Sequence, residues 1–150
     1  MSHSDSDTLS PAGDALLPTL DLLAPIRRHR LAMAEQAWRR QRDVLAALQT
    51  RLTQMADELQ RLRQCQQQER QEQRKQHSHR RLPLHEMNRW LAGEQQAIRR
   101  IERFEQHYKA LQQEHRQQQH WTDDSRQQLR RRQRDLEKLD CLRDLSREAS

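Results

Sequence analysis

The 150-residue chain contains two glycines, two cysteines, four prolines and five aromatic residues: Trp38, Trp90, Phe104, Tyr108 and Trp121. Each scarcity excludes something. Phosphate-cradling loops of the G-x-x-x-x-G-K-[ST] or G-x-G-x-x-G type need more glycine than this, and neither motif occurs. Cys65 and Cys141 lie far apart in the sequence. Two cysteines do not form the framework of a small secreted domain, so both read as free thiols of a reducing compartment. Only 33% of the residues are apolar, against about 45–50% in an average soluble domain. That is too little to fill the core of a compact fold of this length, which disfavours an α/β enzyme, a sandwich or a barrel. Long exposed helices or disorder remain. No apolar run approaches the ~18 residues of a transmembrane helix. The start, Met1-Ser2-His3-Ser4-Asp5, resembles no secretory signal. Neither membrane insertion nor a leader is expected.

What is present is charge and helix-forming residues. Charged residues make up 33% of the chain, the net charge is +6, and glutamine occurs 23 times. Residues 1–26 carry four acids (Asp5, Asp7, Asp14, Asp21) and no Lys or Arg, so the remaining 124 carry +10. Pro11, Gly13, Pro18 and Pro25 punctuate this first segment. Proline lacks the N–H of a helix interior and clashes with the preceding turn, so residues 1–25 read as a mostly disordered N-terminal extension. Beyond Pro25 the only proline is Pro83. Two uninterrupted stretches rich in Ala, Leu, Gln, Glu and Arg follow, about 27–79 and 84–148. The turn between them, about 77–83, ends in Leu82-Pro83, where the residue before proline avoids the helical region.

The first stretch carries a heptad. One column is Leu31, Trp38, Leu45, Leu52, Leu59; the other is Ala34, Gln41, Leu48, Met55, Leu62. Alternating steps of three and four over this length mark a coiled coil. The seam then turns polar through Gln66, Glu69, Gln73 and Gln76. The second stretch opens with Leu84, Met87, Leu91, Ile98 and Ile101. Ile98, Ile101 and Phe104 then fall three apart, which reads as a stammer. A new register continues through Tyr108, Leu111, His115, Leu129, Leu136 and Leu139. Folding the chain near residue 80 pairs positions whose numbers sum to about 160: Leu59 with Ile101, Leu48 with Leu111, Trp38 with Trp121. The expected fold is all-α, a long antiparallel two-helix coiled-coil hairpin spanning 26–150, with arms of roughly 80 Å at about 1.5 Å per residue. A parallel dimer of straight helices is the competing arrangement.

Two places lack an internal apolar partner. At the tip, Leu82, Leu84, Met87, Trp90 and Leu91 face the glutamine-rich end of helix one. An apolar cluster containing Trp and Met suits a protein-binding patch; the alternative is that Arg and Gln stems cover it. At the open end, helix two continues past the start of helix one through Leu136, Leu139, Leu142 and Leu145. The candidate partners there are Leu16, Leu17, Leu20, Leu22 and Leu23: either that segment folds back in short pieces, or helix two projects and docks elsewhere. Arg126, Arg130, Arg131, Arg132 and Arg134 cluster in the same region, opposite Arg27, Arg28 and Arg30.

Reactive chemistry is not apparent. His77, His79 and His85 flank the tip without zinc-site spacing, and no cysteine is near, so no metal site is expected. A nucleophile needs a preorganised acid–base cluster in a dry pocket; no catalytic residue, cofactor site or small-molecule substrate site is expected. The arginine run could neutralise phosphates. It lacks the aromatic platforms of single-strand binders and is flanked by Asp123, Asp124, Asp135, Glu137 and Asp140, which disfavours nucleic acid.

The basic start Ile26-Arg27-Arg28-His29-Arg30-Leu31, the tip Leu84-His85-Glu86-Met87-Asn88-Arg89-Trp90 and the segment Ile98-Arg99-Arg100-Ile101-Glu102, on a hairpin of this size, resemble the YscO/HrpO group of type III secretion proteins. That group is similar to the flagellar export protein FliJ. The resemblance covers about residues 26–148. It implies a non-catalytic stalk in the bacterial cytoplasm, at the cytoplasmic face of a virulence-associated secretion apparatus. By that analogy Arg27, Arg28, Arg30, Arg130, Arg131, Arg132 and Arg134 would meet a hexameric export ATPase. Leu82, Leu84, Met87, Trp90 and Leu91 would meet the cytoplasmic domain of the export gate, and secretion chaperones would be further partners. A generic coiled-coil adaptor or homodimer is the main alternative, and a basic nucleic-acid-binding helical protein the lesser one.

Overall fold

The computed structural model describes the backbone of residues 3–78 and 80–149, with side chains from residue 16 onward. It is all-α. Helix α1 spans His3–His77 and helix α2 spans Leu84–Ala149, packed antiparallel as a hairpin. The connection falls where the sequence predicts. Pro83 opens α2, its carbonyl accepting the amides of Glu86 and Met87, both at 3.1 Å. Its missing N–H costs nothing at a helix start. At the end of α1, the Ser78 hydroxyl donates to the Lys75 carbonyl at 3.3 Å. Arg74, Lys75 and His77 occupy the last turn, where cations suit the helix dipole.

The start of α1 differs from the expectation of a disordered 1–25 segment and a helix beginning near 27. The helix begins at His3 and runs through Pro11, Pro18 and Pro25. The reason is visible in the spacing. The three prolines recur every seven residues, and Pro18 and Pro25 are both exposed. Pro18 and Pro25 occupy one outward column, where a carbonyl that loses its helical donor can be hydrated. The inward columns are apolar except at Arg27. Counting back from Leu31 and Ala34 by sevens reaches Ala24, Leu17, Arg27 and Leu20, and all four are at least half-buried. Packing thus overrides a proline penalty of order 3 kcal/mol per site.

Contacts divide the chain into two compact units, Met1–Val44 with Gln119–Ser150, and Leu45–Gln118. In the first unit the core is Leu20, Ala24 and Leu139, with Leu23 packed against it; Leu139 is fully buried. This answers the open end: Leu139 finds its partner in the proline-bearing segment, folded back as continuous helix. Thr122 is also buried, its hydroxyl donating to the Gln41 carbonyl at 3.3 Å. In the second unit Leu52, Leu59 and Leu111 are buried, with Met55, Leu62, Ile101, Phe104 and Tyr108 half-buried around them.

On α2 the inward positions run without a slip. They are 90, 94, 97, 101, 104, 108, 111, 115, 118, 122, 125, 129, 132, 136, 139, 143 and 146, all half-buried or buried. The expected stammer is therefore absent. Ile98 lies off the seam at 37% exposed, and Glu94, Ala97, Gln118, Thr122 and Ser125 hold seam positions that an apolar-only count passes over. The expected level pairing of Trp38 with Trp121 is not made either. Thr122 takes the seam position and Trp121 turns outward, 52% exposed.

Cross-helix ion pairs and hydrogen bonds sit slightly beyond the predicted register. Arg27 reaches the Asp135 carbonyl (2.7 Å), Arg63 reaches Glu105 (2.7 Å), Arg70 reaches Glu94 (3.1 Å) and Arg143 reaches Asp21 (2.7 Å). Every helical side chain leans toward its own N-terminus. In an antiparallel pair two long side chains therefore meet when each stands C-terminal of the level at which they touch. In the buried apolar cluster Leu139 lies between Leu20 and Ala24, whose numbers sum with it to 159 and 163.

Candidate interaction surfaces

The tip residues are built on the first turns of α2, and the helix separates them. Trp90 is on the seam, half-buried against α1, beside Gln66, Glu69, Arg70 and Gln73 at a cavity of about 170 Å³. On its other side a groove of about 300 Å³ is lined by Gln73, Arg74, His77, Ser78, Leu82 and Trp90. Leu82 is half-buried there. The polar stems of α1 thus cover Trp90, as the covering alternative expects. His77 Nδ1 and Trp90 Nε1 are buried without a hydrogen-bond partner.

Leu84, Met87 and Leu91 do not share that cover. They are 75%, 44% and 44% exposed. At 100° per residue they fall on one side of α2, about a quarter-turn from the seam, and Ile98 falls in line with them. The apolar surface is therefore a stripe of Leu84, Met87, Leu91 and Ile98. Ile98 is the member that reading it as a seam residue concealed; carrying the heptad phase through Glu94 and Ala97 reveals it.

The arginines of the first unit divide in the same way. Arg27 is half-buried on the seam of α1 and is spent on the Asp135 carbonyl. Arg132 is half-buried on the seam of α2, 3.9 Å from Asp135. Arg27 ties the two helices together, whereas Arg132 pairs within its own helix. Arg28 and Arg30 are exposed on α1. Arg130, Arg131 and Arg134 are exposed on α2, line a shallow groove with Gln127, and enter no ion pair among the described residues. The outward cationic face is thus Arg130, Arg131 and Arg134. Trp38 contributes to the seam, with the Arg42 guanidinium over its ring at 5.0 Å; Asp43 pairs with Arg42 at 3.4 Å.

Cys65 and Cys141 are both free and exposed. Among the described residues no group of His, Cys, Asp and Glu is placed to hold a metal ion. Among the same residues no helix is long and apolar enough to cross a membrane. No family model, curated protein or solved structure matches the chain.

Proposed function

We propose that the chain is a non-catalytic stalk of a bacterial type III secretion export apparatus, joining the export ATPase to the cytoplasmic domain of the export gate. The observation that carries this reading is that a two-helix chain bears two outward surfaces of opposite chemistry. The second unit has the apolar stripe Leu84, Met87, Leu91, Ile98, and the first has the unpaired cations Arg130, Arg131 and Arg134. An apolar stripe suits burial against a partner domain, whereas an unpaired cationic face suits an acidic lining and speeds encounter with it. Both surfaces leave the seam intact, so each can be filled without opening the helix pair. Secretion chaperones are a further partner of this reading, and its place is the cytoplasmic face of the apparatus.

The test uses purified ATPase and a secretion-competent strain. Arg130→Glu with Arg131→Glu and Arg134→Glu should abolish stimulation of ATP hydrolysis, whereas Met87→Asp with Leu91→Asp should spare it and abolish secretion. Unchanged hydrolysis with the first variant and normal secretion with the second would remove the stalk reading. A helix-docking adaptor with no export role is favoured by a separate observation, a second apolar stripe on α1.

A further inference from the structure

That stripe is Leu22, Ile26, Met33 and Val44 in the first unit. Leu22 is 72% exposed and the other three are each 48% exposed. At 100° per residue the four fall within an arc of about 40°, roughly a third of a turn from the seam positions Leu31 and Ala34. Four large apolar residues over some six turns of an otherwise strongly polar helix are not a scatter of single exposed side chains. They form a line about 33 Å long at 1.5 Å per residue. The seam of α1 is already filled by α2, so the line has no partner within its unit.

The flanking charges say what would cover it. Arg30 borders the line, and Arg40, seven residues after Met33, stands in it between Met33 and Val44; both are exposed and neither enters an ion pair among the described residues. Arg40 donates only to the Gln36 carbonyl of its own helix, at 3.5 Å. The nearby acid Asp43 is taken by Arg42. A second copy of this chain paired parallel and in register would bring Arg30 and Arg40 against their own counterparts, and like charges across a helix pair are unfavourable; an antiparallel copy would still present the same cation-bearing line. A line of apolar residues at helical spacing, with unpaired cations beside and within it, fits an amphipathic helix of another protein, with an apolar stripe and glutamate or aspartate along it.

We infer that the Leu22–Ile26–Met33–Val44 face docks an acidic amphipathic helix alongside α1, making a local three-helix arrangement. This surface is separate from the stalk surfaces described above and does not depend on them.

The full-length chain can be titrated into two dye-labelled synthetic helices of about three heptads, both with Leu at a and d. One carries Glu at the flanking e and g positions, the other Lys. Fluorescence anisotropy should show binding of the Glu peptide and at least about tenfold weaker binding of the Lys peptide. Ile26→Gln with Met33→Gln should weaken the Glu peptide about tenfold or more, with circular dichroism unchanged because both residues are exposed. Arg30→Glu with Arg40→Glu should reverse the preference between the peptides. Equal binding of both peptides, equal binding by the Ile26/Met33 variant, or no binding of the Glu peptide at about 100 μM would overturn the inference. So would self-association of the unmodified chain that the Ile26/Met33 variant abolishes, since it would make a second copy the occupant.

Discussion

From Leu45 to Leu62, α1 fills its seam with leucine and methionine; from Gln66 to His77 the inward positions hold glutamine and histidine. Opposite the first region stand Ile101, Phe104, Tyr108 and Leu111, and opposite the second stand Trp90, Glu94 and Ala97. Both regions belong to one compact unit and keep the same heptad phase. The difference is in what closes the seam. Leu52, Leu59 and Leu111 are buried, whereas no seam residue from Gln66 to His77 is more than half-buried. The geometry of a helix pair is therefore carried by period and helix propensity, while adhesion is carried by the apolar area the seam removes from water. Near the turn, the helices meet through the Arg70–Glu94 pair and Trp90, with little apolar area removed from water.

Three substitutions would break or sharpen this contrast. The largest effect is expected for Leu59→Ala. It removes one of the two most buried leucines of α1 in this unit and should cost about 2–4 kcal/mol, read as a lower urea midpoint by circular dichroism. A loss under about 0.5 kcal/mol would mean that the leucine region does not hold the unit. Gly93→Ala should act in the opposite direction. A Cβ at Gly93 meets nothing within 4 Å, and replacing a helix-interior glycine by alanine stabilises by about 0.5–1 kcal/mol. Slower amide exchange near Trp90, with little change near Leu59, would show that the glutamine region gains on its own. The smallest effect is expected for Arg63→Gln. Its 2.7 Å pair with Glu105 is tight, but the side chain is 58% exposed, and such pairs contribute at most about 1 kcal/mol. A midpoint shift as large as that of Leu59→Ala would show that ion pairs, not leucines, set adhesion here.

The two helices, the antiparallel pairing and the turn at Pro83 were legible in the sequence, because proline, propensity and the heptad of α1 all pointed to them. Two things were not legible from apolar residues alone. The phase of α2 is carried by Glu94, Gln118, Thr122 and Ser125, so a count of Leu and Ile invents a slip at Ile98 that the chain does not make. The start of α1 was hidden because each proline was weighed separately. Their common seven-residue spacing, opposite Leu17, Leu20 and Ala24, is what makes them compatible with a packed helix. The same rule of phase sorts the candidate site: Trp90, Arg27 and Arg132 face inward, while Met87, Leu91, Arg130, Arg131 and Arg134 face out. Adjacency in sequence had grouped residues that the helix separates.

The proline column has a consequence for the order of assembly. A segment bearing Pro18 and Pro25 is a poor helix in isolation, since each ring removes a hydrogen bond that local propensity cannot replace. Its helical state is therefore borrowed from α2, through Leu20 and Ala24 on Leu139 and Asp21 on Arg143. Truncating α2 before Leu139 should therefore cost this segment its helix, while the stretch from Leu45 to Leu62 keeps its own seam.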